Sequence, residues 1–223
     1  MHRKRWWLGA LGMLVGYVGY WLASRWLAQV RARTPPFTRQ TFGNYQELVR
    51  MFATLWRHPE ALAQMHSNPA VSRPLTERIV DEIRVALGSS RLRSGQWVYR
   101  LAGVTERQRV EGVAPDDPEV LAFARQFALT RGHPNPALID RLSAQYGART
   151  ARDLTTFVRL ATLGVLMGNT LDAVISRLLG HPAPNTTTGQ EIGTLATFFL
   201  GVVPLVPLMF LRMRINPAGS AAS

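Results

Sequence analysis

The sequence predicts an all-α protein, a helical bundle flanked by one N-terminal and one C-terminal transmembrane helix. Three observations carry that expectation. Uncharged runs of about 20 residues lie near both ends, long enough to cross the hydrocarbon core of a bilayer. Between them apolar residues recur at helical spacing, without strand-like alternation or a long repeat. Pro, Asp and Gly fall where helices start and stop. With 223 residues, there is room for one domain of roughly 100–200 residues plus appendages. The expected order is a basic tail (1–5), a first span (6–27), a Pro-rich linker (28–41), the all-α domain (42–180), a loop (181–191), a second span (192–211) and a tail (212–223).

The first span rests on WWLGALGMLVGYVGYWLAS, Trp6 to Ser24, 19 residues without a charge between HRKR and Arg25. Trp6 and Trp7 mark one end and Trp21 and Trp26 the other, as interfacial aromatic belts require. The run is longer than a signal-peptide core and no small-x-small cleavage site follows, so an uncleaved anchor is expected. Gly9, Gly12, Gly16 and Gly19 share one helical face, a seam for close packing on the second span or on a foreign subunit. The second span, IGTLATFFLGVVPLVPLMFL, is expected to kink at Pro204 and Pro207 and ends in RMR.

Inside the domain, NYQELVRMFATLWR has helical spacing, and PEALAQMH starts a short helix at Pro59. Thr76 is expected to cap ERIVDEIRVAL, and Asp117 with Pro118 to open PEVLAFARQFALT. PALIDRLSAQYG stops at Gly147. The next helix runs long, with a kink expected near Gly168 and a stop at Gly180. GHPAPNTTTGQ is the loop into the second span.

The net charge of +12 is uneven: residues 1–40 hold seven Lys or Arg and no acid, 41–180 hold 17 against 13, and 181–223 hold two against one. The domain alternates Arg with Asp and Glu, the pattern of a solvated helical surface, so no nucleic-acid partner is expected. With no cysteine there are no disulfides, thiolate metal sites or thiol nucleophiles. His58, His66, His133 and His181 lack ligand spacing, and neither a metal nor a cofactor is expected. Asp116 and Asp117 read as a helix start, and Asp81 and Glu82 as surface partners of neighbouring arginines.

The ordered motifs WRHPEALAQMHSN, LTERIVDEIRVALGS, LAGVTERQRVEGV, DPEVLAFARQFALTRG and IDRLSAQYGARTARDLTTFVRLATLGVLMGNTLDAV, over residues 45–176, resemble the carboxymuconolactone decarboxylase and alkylhydroperoxidase D-like family. The resemblance implies a helical bundle that self-associates, with a Cys-x-x-Cys-x-x-His site just after the central helix. In this chain those positions fall on Gly88 or Ser89, Arg91 or Leu92, and Ser94 or Gly95. No thiol-dependent peroxidase chemistry is available to such a set. Glu77 stands near the family's proton-relay glutamate, though its position is read first as that of a helix first-turn acid. Asn169 matches a family Asn, while Thr170 replaces the Arg that follows it. Arg91, Arg93, Trp97 and Arg100 remain as a basic and aromatic contact surface.

The function expected is a non-catalytic, membrane-anchored accessory or assembly subunit of a bacterial membrane complex, respiratory or photosynthetic for example, docking through a degenerate enzyme domain. Its partners would be membrane lipids and other membrane subunits or further copies of itself. The alternatives are a lyase or isomerase acting on a lipid-soluble substrate with Glu77 as acid or base, and a lipid-binding module. The location expected is the inner membrane. Arg3, Lys4, Arg5, Arg212 and Arg214 place the tails in the cytoplasm, against the opposing pull of Arg25, Arg31, Arg33 and Arg39.

Overall fold

The computed structural model describes residues 24–25, 28–32, 35–58, 61, 68, 70–89 and 113–215, apart from the side chains of 209, 210 and 212–215. Most of the predicted first span lies outside them, with Gly9, Gly12, Gly16, Gly19, Trp6, Trp7, Trp21 and Trp26. So do the predicted contact residues Arg91, Arg93, Trp97 and Arg100, and all of PEALAQMH except Ala61. Among the described residues the chain is helical and contains no strand: α1 (Tyr45–Arg57), α2 (Arg73–Ala86), α3 (Pro118–Leu129), α4 (Pro136–Tyr146), α5 (Ala148–Leu178), α6 (Thr188–Ala196), a π-helical stretch (Thr197–Val202) and α7 (Val203–Ile215).

The bundle is assembled around α5. Seven consecutive residues of this helix, Ala161 to Met167, are buried, which is possible only when neighbours cover every side. α4 and α6 lie along it, and α1, α2 and α3 fill the remaining sides. Although α5 is long and apolar enough to cross a membrane, 61% of its most apolar window is buried inside the protein, which makes it the core helix of the bundle. It runs as one uninterrupted helix through Gly168, where a kink was expected. α1 contributes the stripe Leu48, Met51, Phe52 and Leu55, at the spacing that puts four side chains on one face. Burying each one stabilises the fold by about 1.5–3 kcal/mol.

The helix ends are set by local chemistry. Asn44 accepts from the Glu47 N–H at 3.1 Å, and Asp117 accepts from Glu119 and Val120, each satisfying free amides of a first turn. α2 begins earlier than Thr76, because Ser72 accepts from the Leu75 N–H and Pro74 occupies the first turn. Thr76 is instead buried inside the helix, its hydroxyl donating to the Arg73 carbonyl at 2.7 Å. α2 and α5 finish in the same way: the N–H of a left-handed glycine (Gly88, φ +69°; Gly180, φ +87°) and that of the next residue (Ser89, His181) turn back onto the final-turn carbonyls.

The C-terminal helix starts at Thr188, four residues before the predicted second span, because Thr187 and Gln190 form a reciprocal capping box. From Thr188 to Leu208 it is long and apolar enough to cross a membrane, and only 17% of its most apolar window is buried. The strip that is covered, Thr194, Leu195, Phe198 and Val202, belongs to the face turned toward the bundle core. Just ahead of Pro204 the turns widen, and Val203 donates its N–H to the Phe198 carbonyl. The wider turn accommodates a residue with no N–H to give.

Asp153 of α5 has no exposed surface. Asn68 donates to one carboxylate oxygen at 2.6 Å, and the other oxygen has no partner. Burial pushes this carboxyl above its ordinary 3.8, against the pull of the Asn68 hydrogen bond and of Arg149 and Arg152. A group whose folded pKa is raised adds stability below its unfolded pKa and loses that contribution as pH rises through the folded one. Asp153→Asn keeps the shape of the protonated acid. It is expected to unfold at a higher temperature than the parent at neutral pH, and at the same temperature below about pH 4. Thermal scans across pH read this difference; a parallel shift at every pH would contradict it.

Candidate functional site

The C-terminal end of α5 gathers the segments that lead toward both predicted spans. Arg177, in the last turn, grips Glu191 of α6 with two hydrogen bonds, Nη2 to Oε1 at 2.7 Å and Nε to Oε2 at 2.9 Å, and donates a third to the Thr186 carbonyl at 2.8 Å. Thr186 donates its hydroxyl to the same carboxylate at 2.6 Å. The Glu191 side chain has no exposed surface, so the geometry is that of a bidentate, charge-assisted pair replacing lost water.

On the other side of the same turn, His181 donates from Nε2 to the Arg31 carbonyl at 2.9 Å, and the Ser176 hydroxyl donates to the His181 carbonyl at 2.8 Å. A carbonyl can only accept, so the proton of this imidazole sits on Nε2. Gly180, at φ +87°, serves the turn, and the Arg31 guanidinium lies beside it. That segment is then pinned along α5. Arg39 pairs with Asp172, and the Phe42 N–H donates to Thr170 Oγ1 at 3.2 Å. Asn169 donates to the carbonyls of Gln40 and Leu87 at 2.8 and 3.4 Å, and Gln40 N–H also reaches Leu87 at 3.0 Å.

The same ties hold the start of α1 and the end of α2 against α5 at Asn169 and Thr170. The α3 end joins through Arg131, whose guanidinium donates to both oxygens of Glu47 at 2.9 and 3.2 Å. Among the described residues, the exposed large apolar side chains of α1 to α5 are Tyr45, Val49, Val85, Leu129, Leu171, Ile175 and Leu178. Leu171, Ile175 and Leu178 form a stripe at helical spacing beside the Arg177–Glu191 pair, and Leu178 is 80% exposed. Beyond the pair, Ile192, Phe199, Leu200, Val203, Leu208 and Leu211 continue an apolar outer surface. An exposed apolar stripe such as Leu171, Ile175 and Leu178 fits a contact with lipid or another protein.

The residues singled out from the sequence are dispersed. Glu77 lies in the second turn of α2 rather than the first, since the helix starts at Arg73; it is half exposed and bonded to Arg73 at 3.0 Å. Gly88, one of the two registers for a family cysteine, closes α2 in a left-handed conformation that a side chain would strain. Asn169 and Thr170 hold the linker backbone at Gln40 and Phe42. Asp81 pairs with Arg84 at 2.9 Å, the surface pairing expected of it, whereas Asp116, read as part of a helix start, pairs with Arg78 at 2.6 Å. The Arg177–Glu191 pair escaped the sequence reading. A lone acid directly ahead of a 20-residue uncharged run was its available signal.

No known protein family, curated protein or solved structure matches the chain.

Arg177→Met leaves Glu191 buried without a counter-charge and is expected to cost about 3 kcal/mol. Arg177→Met with Glu191→Leu should recover most of that loss, because an apolar pair of similar volume carries no desolvation penalty. Denaturant midpoints in neutral detergent measure both. A silent single variant would show that the pair does not hold this end together.

Proposed function

We propose that this protein is a membrane-anchored, non-catalytic subunit whose helical domain, resembling a carboxymuconolactone decarboxylase-like enzyme stripped of its reactive side chains, serves as a docking surface in a bacterial membrane assembly. The observation that carries this reading is the convergence at the C-terminal end of α5. The N-terminal segment at Arg31 and the head of the C-terminal apolar helix at Glu191 are fixed to the same turn, and Leu171, Ile175 and Leu178 stand exposed on the last turns of the same helix. Two apolar segments leaving from one place match a domain held against an inner membrane, with both tails on the cytoplasmic side.

Glu77 favours docking over the enzymatic alternative. A general acid or base must reach a substrate from a site that restrains it. Glu77 is open to solvent and paired with its own helix neighbour. The turn at Gly88 supports the same reading, because one of the two positions the resemblance offers for the family's first cysteine ends a helix here.

Mild extraction of the tagged full chain from native membranes, followed by affinity purification, is expected to recover a stoichiometric membrane partner or a homo-oligomer. Replacing Ile175 and Leu178 with Asp should remove most of that association while the helical spectrum is kept. Recovery of a lone monomer from native membranes would contradict the proposal.

A further inference from the structure

A cleft of about 600 Å³ lies at the opposite end of α5, between the end of α1, the middle of α4 and the first turns of α5. That volume falls in the usual range for small-molecule sites. Two kinds of surface meet in it: Leu55, Ile139 and Ala148 are apolar, whereas Arg152, Arg159 and His58 are cationic or basic. No carboxylate is among its described lining residues.

Arg159 is half buried and lies over the Phe127 ring, 5.5 Å from its centroid. Among the described residues it has no acidic partner, and burial alone lowers its pKa. A desolvated guanidinium with only an aromatic face for company gains most from an anion, which it can bind with two parallel hydrogen bonds. Arg152 stands at the exposed rim, and the adjacent acid, Asp153, is turned away into the core toward Asn68. The threonine hydroxyls nearby do not compete for an anion. Thr54, Thr155 and Thr156 each donate to a carbonyl of the preceding turn, at 3.2, 2.7 and 2.9 Å.

We propose that this cleft binds a water-soluble organic anion, a carboxylate or phosphate ester bearing a short apolar group, with its charged head on Arg159 and Arg152 and its apolar part against Leu55 and Ile139. Arg159 lies 18 residues before Arg177 on one helix, roughly 27 Å at about 1.5 Å per residue, so the ligand is drawn from water rather than from the apolar end of the bundle. The site is independent of how the chain sits in the membrane.

Calorimetric titration of the full chain in neutral detergent tests the assignment, with hexanoate, hexyl phosphate, inorganic phosphate and hexanol as probes. Saturable binding of hexanoate or hexyl phosphate is expected, at least tenfold tighter than inorganic phosphate and without measurable binding of hexanol. Arg159→Gln should weaken it tenfold or more. Arg152→Gln, altering an exposed residue, should weaken it to a smaller extent with the thermal midpoint unchanged. Binding of hexanol as tight as the anions, of phosphate as tight as its hexyl ester, of no probe at all, or binding indifferent to both arginine variants would overturn the proposal.

Discussion

A carboxylate with no access to water, Glu191, is tolerable in this fold only because Arg177 meets it with two hydrogen bonds and Thr186 with a third. Much follows from that pairing. It fixes the head of α6 against the last turn of α5, and so sets where the long apolar helix leaves the bundle. It also closes the 179–187 loop, whose turn at Gly180 and His181 receives the N-terminal segment at Arg31. Two parts of the chain far apart in sequence are thereby joined at one point. An apolar pair could have packed there at less electrostatic cost, but the charged pair admits one register of α6 on α5, the specificity a buried polar contact can provide.

α5 makes this possible by spanning the whole bundle. Its first half carries Asp153 and the arginines of the cleft, its middle is sealed on every side, and its last turns hold the linker through Asn169, Thr170 and Asp172. The helix thus separates an apolar end, suited to membrane or protein contact, from an end where cationic groups face a cavity.

Much of this architecture is legible in the sequence where local chemistry decides it. Asp117 with Pro118 opens α3, Gly147 and Gly180 mark helix ends, and the apolar spacing of α1 gives its buried face. Reading failed where a weaker signal competed with a better one. Thr76 looks like a cap beside Glu77, but Ser72 followed by Pro74 starts the helix a turn earlier and moves Glu77 away from the N-terminus. Glu191 and Asp153 are charged residues with no exposed surface, and no local pattern announces a partner supplied by a distant segment. Gly88 ends α2 in a left-handed conformation, a stop the sequence offers only as a glycine after an apolar helix.

The claim on which the account turns is that the approach to the first apolar run and the head of the second meet at the end of α5. The chain contains no cysteine, so Gln29→Cys with Gly189→Cys provides two unique labelling sites; residue 29 is exposed and a Cβ at 189 meets nothing within 4 Å. Pulsed electron spin resonance between labels at these positions, in lipid nanodiscs, should give a narrow distribution at about 30 Å or less, two to three helix diameters. A broad distribution, or one centred near the roughly 45 Å length of α5, would contradict the account.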